Sequence, residues 1–291
     1  TGLTFLNGTW NRTDDGLYSN GNDVFAMSDV NLKNFTLEAT VTIEGNAAAG
    51  LVFRAASNTD PKGAGTYVAN VDLNRGDARI FTFGQGGGDV GSYALPDKTK
   101  GTYKMKIIAI GNMLNYYVDD VLAVSATNDK FESGYLGLMT FGGSVTYQDV
   151  KYTDLGADAT APGLTGLEVT GSSLELTPEF DPDVSNYTYF AGYADSITVT
   201  PTAEAGTNLT IGATGPEGEI FAAEAIASGD SKEIPLQVGS NTVSILATKD
   251  GVTMGTTITV TKKASADYMA AEPYRPQFHF TPQTMWMNDP N

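Results

Sequence analysis

The chain has 291 residues, with 17 Lys and Arg against 34 Asp and Glu, a formal charge of -17, and no cysteine. Such a length favours two or more domains. The negative balance repels polyphosphate and anionic lipid, and the missing thiols exclude disulfide frameworks and thiolate metal sites. No stretch of about 18 apolar residues is present, and the opening "TGLTFLNGTW" lacks the basic and apolar regions of a signal peptide. Nucleic acid and membrane insertion are therefore not expected, whereas a neutral ligand is indifferent to the charge.

In chain order, residues 1 to about 155 read as one all-β unit. The segments "FTLEATVTIEG", "AGLVFRAAS", "GTYVANVDLN", "ARIFTFG", "TYKMKIIAIGNMLNYYVDDVLAVSA" and "GYLGLMTFGGSVTYQDVKYTDL" are strands joined by Gly, Asn and Asp turns. The clearest hairpin is at Gly111-Asn112. A Pro-terminated linker, 156–163, leads to about a hundred residues of short alternating strands, 164–263, the pattern of a second and smaller sandwich. A second linker, 264–273, precedes the dense run "YRPQFHFTPQTMWMNDPN". Five N-x-[ST] sequons, at Asn7, Asn11, Asn34, Asn186 and Asn208, are read as chance in a Thr-rich chain.

Strand parity suggests a binding face in the first unit. In "FTLEATVTI" the side chains of Phe35, Leu37, Ala39, Val41 and Ile43 share a core face, leaving Glu38 on a polar one. The same rule sets Arg54 opposite Leu51 and Phe53 in "LVFRA", and Asn70 with Asp72 opposite Tyr67, Ala69 and Val71. If these strands are neighbours, Glu38, Arg54, Asn70 and Asp72 converge as donors and acceptors suited to sugar hydroxyls. The alternative is a set of solvated residues with an Arg54 ion pair to Asp72 or Glu38.

The segments "GLVFRAASN", "GTYVANVDLN", "RIFTF", "YYVDDVLAV" and "FESGYLGLMTFGGSVTYQDVKY" resemble the concanavalin-like jelly-roll modules of carbohydrate-binding family 66, which recognise the fructose units of levan and related fructans. The resemblance covers most of residues 1–155. It implies that Arg and acidic residues on one sheet hold the ligand, which carries over to Glu38, Arg54, Asn70 and Asp72. Tyr67, Phe81, Tyr93 and Phe141 are candidates for an apolar wall.

A glucanase active site is excluded within "EATVTIE". Glu38 and Glu44 are six residues apart, about 20 Å along a strand, against about 5 to 9.5 Å for a working carboxylate pair. A structural calcium is conceivable at Asp14, Asp15 and Asp23, although their spacing is not that of a dedicated loop. The second unit, through "LEVTGSSLELTPEFDPDVSNYTYF" and "VGSNTVSILATKDGVTMGTTITVTK", resembles bacterial cadherin-like sandwich repeats. The resemblance implies a spacer, with Asp181, Asp183 and Asp195 as turn residues.

Physically, a carboxylate beside Asn donors and an indole in "WMNDPN" could serve as a glycosidic nucleophile. The run "RPQFHFTPQTMWMNDPN" resembles the opening strand of the five-bladed β-propeller of family 32 glycoside hydrolases. It implies Asp289 as nucleophile, Asn288 and Trp286 lining a fructose subsite, and Gln283 and His279 near it. The expectation is a fructan-binding and targeting region of a secreted bacterial fructan hydrolase, not catalytic on its own because the second carboxyl lies further on. The competing expectation is a structural or adhesive surface protein binding another glycan.

Overall fold

The computed structural model describes residues 2–264. Its first half contains β1 (Leu3–Leu6), β2 (Thr9–Thr13), β3 (Gly16–Gly21), β4 (Val24–Leu32), β5 (Phe35–Ile43) and β6 (Ala48–Ala55). One helical turn, α1 (Pro61–Ala64), precedes β7 (Thr66–Asp72), β8 (Asp77–Phe83) and β9 (Asp89–Ala94). Then come β10 (Thr102–Ile110), β11 (Met113–Val118), β12 (Val121–Thr127), β13 (Gly134–Phe141) and β14 (Gly143–Asp154). The first 32 residues thus supply four strands where the sequence patterning suggested none.

These strands form two seven-stranded sheets. The front sheet runs β1-β4-β13-β6-β7-β8-β9 and the back sheet runs β12-β11-β10-β5-β14-β3-β2. Between them lies a core in which the inward residues of β5 (Phe35, Leu37, Ala39, Val41, Ile43) meet Leu51, Phe53, Tyr67, Ala69 and Val71. Alternation builds this layer because each strand exposes one side chain in two to the opposite sheet. The hairpins carry the expected turn chemistry. Gly111, with φ of 57°, opens the β10–β11 turn as a type II′ hairpin requires. Asp119 and Asp120, both at positive φ, join β11 to β12 in the manner of type I′.

The second sandwich holds β15 (Leu164–Thr170), β16 (Asn186–Gly192), β17 (Ser196–Ala203), β18 (Asn208–Gly215), β19 (Gly218–Ile226), β20 (Lys232–Pro235), β21 (Gly239–Lys249) and β22 (Val252–Lys262). A three-stranded sheet, β15-β17-β20, faces a five-stranded one, β16-β22-β21-β18-β19. Ile197, Val199, Ile211, Val243, Ile245 and Ile258 fill the space between them. Asp181 acts as a turn residue, its carboxylate accepting from the Asp183 amide at 2.8 Å. Asp195 instead pairs with Lys262 at 2.8 Å.

The start of the segment read as a linker, 156–163, is bonded to the first sandwich. Asn34, buried at 2 % exposure, donates through Nδ2 to the carbonyls of Gly156 (2.9 Å) and Ala157 (3.0 Å). Its own carbonyl accepts from the Leu155 amide at 3.1 Å.

Candidate functional site

The four polar residues expected to converge do not. Strands β5 and β6 are consecutive in sequence but belong to opposite sheets, so outward on one is the far side of the molecule from outward on the other. Glu38 lies on the outer face of the back sheet, in register with Lys106 and Lys151, and pairs with Lys151 at 3.3 Å. Asn70 and Asp72 lie on the outer face of the front sheet. Arg54 is on neither.

Arg54 has φ of 50° beside a register irregularity between β6 and β13, so the period of two breaks at this residue. Its guanidinium is wholly buried among loops at one end of the sandwich. Nε and Nη2 donate to the Lys33 carbonyl at 3.1 and 2.7 Å, Nη2 to Gly111 at 2.7 Å and Nη1 to Phe131 at 3.1 Å. Burial pulls its pKa down to about 10, which leaves it charged at neutral pH. Its donors are committed to the fold, and the expected sugar contact gives way to a structural clamp. Tyr67 is likewise a core residue. Its hydroxyl faces Asn128 and accepts from the Phe131 amide at 3.2 Å. Tyr93 packs against the inner core as well, while Phe81 and Phe141 are on the front sheet's outer face.

That outer face has the makings of a binding surface. Register places Gly50, Asn70, Arg79 and Ser92 in one row across β6, β7, β8 and β9. The next row holds Ala48, Asp72, Asp77 and Ala94. Gly50 and Ala48 set small residues beside the nearly buried Asn70 and Asp72, with Val68 Cγ1 only 2.7 Å from where a β-carbon of Gly50 would stand, and the 44 % exposed Phe141 lies on β13 beyond them. Phe25, Phe81 and Phe83 pack edge to face along the adjoining part of the same surface.

The polar groups are fixed by their neighbours. The Arg79 guanidinium lies 4.4 Å from the Phe81 ring centroid and donates through Nη1 to Asp89 at 2.6 Å. Asp72 Oδ1 accepts from the Arg75 amide at 3.0 Å, and Arg75 Nε pairs with Asp77 at 3.1 Å. Two atoms are left over: Asn70 Oδ1 and Arg79 Nε are buried without a hydrogen-bond partner among the described residues. One accepts and the other donates. Buried polar atoms are seldom left so, because each forfeits its hydration. Arg79 was the residue the sequence reading missed. The alternation of "DARIFTF", with Ala78 and Ile80 in the core, carried the signal.

Other expectations fare differently. Asp14 and Asp15 sit in the β2–β3 turn, whereas Asp23 lies beyond the opposite end of β3, where it pairs with Lys62. No group of three carboxylate or imidazole side chains is placed to hold a metal among the described residues. A cavity of about 460 Å³ at the β1–β3 edge of the sandwich, floored by Leu17, Leu37, Leu136 and Leu138, brings none of the predicted residues together. His279, Gln283, Trp286, Asn288 and Asp289 lie outside the described residues.

A jelly-roll sandwich with a polar and aromatic outer face, followed by a cadherin-like sandwich, is thus the architecture of residues 2–264. The chain belongs to the 3-keto-alpha-glucoside-1,2-lyase-like domain family, whose model matches residues 2–153. The model of the cadherin-like beta sandwich domain matches residues 164–263. Among solved structures, the carbohydrate binding module CBM66 from Bacillus subtilis is similar at 30% identity and a TM-score of 0.50, over 53% of this chain and 96% of that one. A fructan beta-fructosidase of Streptococcus mutans is 26% identical over 98% of this chain and 21% of its own length. A levanase of Bacillus subtilis is 33% identical over 52% of this chain and 22% of its own length. The chain therefore spans about a fifth of the curated relatives it matches.

Proposed function

We propose that the first sandwich binds fructan on the outer face of its front sheet, holding a fructosyl unit over Asn70, Asp72 and Arg79. The observation that carries this is the pair of unmet atoms on directly opposed residues, Asn70 Oδ1 and Arg79 Nε. A hydroxyl is the small group that both donates and accepts, so a sugar hydroxyl admitted as these two side chains part would satisfy both buried atoms. The exposed Phe141, opposite Ala48 on the neighbouring strand, offers an apolar edge to the carbons of the ring. Likeness to CBM66, to a levanase and to a fructan beta-fructosidase supports fructan as the polymer.

In the longer secreted enzyme to which this reading assigns the chain, the module keeps a catalytic domain near its polymer and raises effective concentration. Asp289 would be that domain's nucleophile, with Asn288, Trp286, Gln283 and His279 around the fructose. A retaining mechanism also needs an acid/base carboxyl at about 5 to 5.5 Å, which this reading places in the remainder of the enzyme.

Calorimetric titration with levan, inulin and fructose tests the proposal. Binding to a fructan that weakens at least tenfold in Arg79→Ala and in Asn70→Ala, with melting temperature retained, is the expected result. Equal affinity in both variants, or no binding by the folded protein, would overturn it.

A further inference from the structure

We infer that the second sandwich is a rigid mount rather than a spacer: it grips the first sandwich by the outer face of the back sheet, so that the pair moves as one body. The placement of that grip is independent of any ligand. Its bearing on ligand presentation rests on the fructan reading above.

The seam is built like an interior. The Asn115 side chain, wholly buried on β11, donates through Nδ2 to the Gly255 carbonyl at 3.3 Å and accepts the Gly255 amide through Oδ1. A single carboxamide thus satisfies both backbone groups of one residue on β22, as a neighbouring strand would. Beside it, Ser125 Oγ lies 2.8 Å from the Gly255 carbonyl and 3.1 Å from that of Ser185. Thr127 Oγ1 donates to the Asp183 carbonyl at 3.1 Å and accepts the Ser185 amide at 3.2 Å. The Tyr117 hydroxyl donates to the Thr253 carbonyl at 3.1 Å.

An apolar cluster surrounds these bonds, with Ile108, Ile110, Met113 and Tyr117 from the first sandwich enclosing Met254 from the second. Leu155 and Ala159 of the connecting segment pack on the same cluster. Gly255 has no room to spare, since a β-carbon there would stand 2.3 Å from Leu122 Cδ2. Contacts between domains of one chain are ordinarily modest and polar, which permits relative motion. Here separation would expose the apolar cluster and break a set of bonds made to buried backbone. Because the seam is on the back sheet and Asn70 with Arg79 on the front, the mount leaves the ligand face open and fixes the direction in which it points.

Residual dipolar couplings on the whole chain give the test. One alignment tensor shared by both sandwiches is the expected result, and two different tensors in the unmodified chain would overturn the inference. Asn115→Asp removes the Nδ2 donor and buries a charge. It is expected to split the tensor in two while leaving fructan affinity unchanged. Gly255→Leu, which drives a side chain into Leu122, serves as the second variant should Asn115→Asp not fold. A shared tensor persisting in a folded variant would show that this seam is not what couples the pair. A loss of fructan binding in the unmodified chain would refute the ligand assignment and leave the rigidity result standing.

Discussion

Arg54 Nη2 donates to the Gly111 carbonyl at 2.7 Å, and the Gly111 amide in turn donates to Asn34 Oδ1 at 2.9 Å. One glycine thereby links the buried guanidinium, the β10–β11 hairpin and the residue that anchors the segment between sandwiches. Arg54→Met is expected to cost about 3 kcal/mol or more, because three loop carbonyls lose a charged donor in a place water does not reach. Thermal or urea unfolding measures it. Arg54→Lys should recover little, since a single ammonium cannot reproduce the planar fork. A loss below about 1 kcal/mol in both would contradict the clamp.

Asn34→Ala should destabilise by about 1 to 3 kcal/mol, since the Gly111 amide and the carbonyls of Gly156 and Ala157 lose their partner. The same burial yields a chemical prediction. In a glycosylating host Asn34 stays unmodified in the folded protein, whereas Asn11, Asn186 and Asn208 are exposed. Peptide mapping by mass spectrometry reads occupancy site by site.

Alkaline pH should unfold the chain through its tyrosines. Burial raises the pKa values of Tyr116, Tyr117 and Tyr147 above the ordinary phenol value of 10.0. Unfolded, these groups ionise near pH 10. A folded-state pKa above the unfolded one means that the stabilisation is whole below pH 10 and is lost as pH climbs towards the folded values. Ultraviolet titration should show exposed tyrosines ionising first, with the buried set following only when the circular dichroism of the sheets collapses. A smooth single titration with the fold intact would refute this.

Gly50→Val should weaken fructan binding and stability together. A β-carbon at Gly50 would come within 2.7 Å of Val68 Cγ1 and crowd the row that holds Asn70. Overpacking of this kind costs about 1 to 3 kcal/mol, readable in urea midpoint, and titration with levan should show lowered affinity at temperatures where the variant is still folded.

Ligand binding should be nearly indifferent to salt. A fructosyl unit is uncharged, so screening touches the Arg79–Asp89, Arg75–Asp77 and Arg75–Asp89 pairs around the row rather than the ligand. Raising the salt from about 0.05 to 0.5 M is expected to change affinity less than about threefold. A steep salt dependence would point to an anionic ligand instead.

Much of this was legible in local sequence. The five inward residues of β5 obey the period of two without exception, and Gly111-Asn112 is the turn its residues require. Parity also placed Asn70 and Asp72 correctly on an outward face. What failed was the assembly of those faces, because parity assigns a side within one strand and says nothing about which sheet the strand joins. Glu38 was thereby grouped with residues on the opposite side of the sandwich. Arg54 failed for another reason: a backbone irregularity interrupts the alternation, and a left-handed arginine has no signature in composition. The grip between the sandwiches was also invisible. Asn115, Ser125 and Gly255 are unremarkable residues until the tertiary fold aligns them.

The Asn115–Gly255 seam bears on how the binding unit can be transplanted. A graft that takes only the first sandwich would carry an oily scar where Ile108, Ile110, Met113 and Tyr117 had been covered, inviting aggregation in an otherwise soluble fusion. The smallest cassette that moves cleanly is the two-sandwich pair, cut after residue 263 rather than at residue 155.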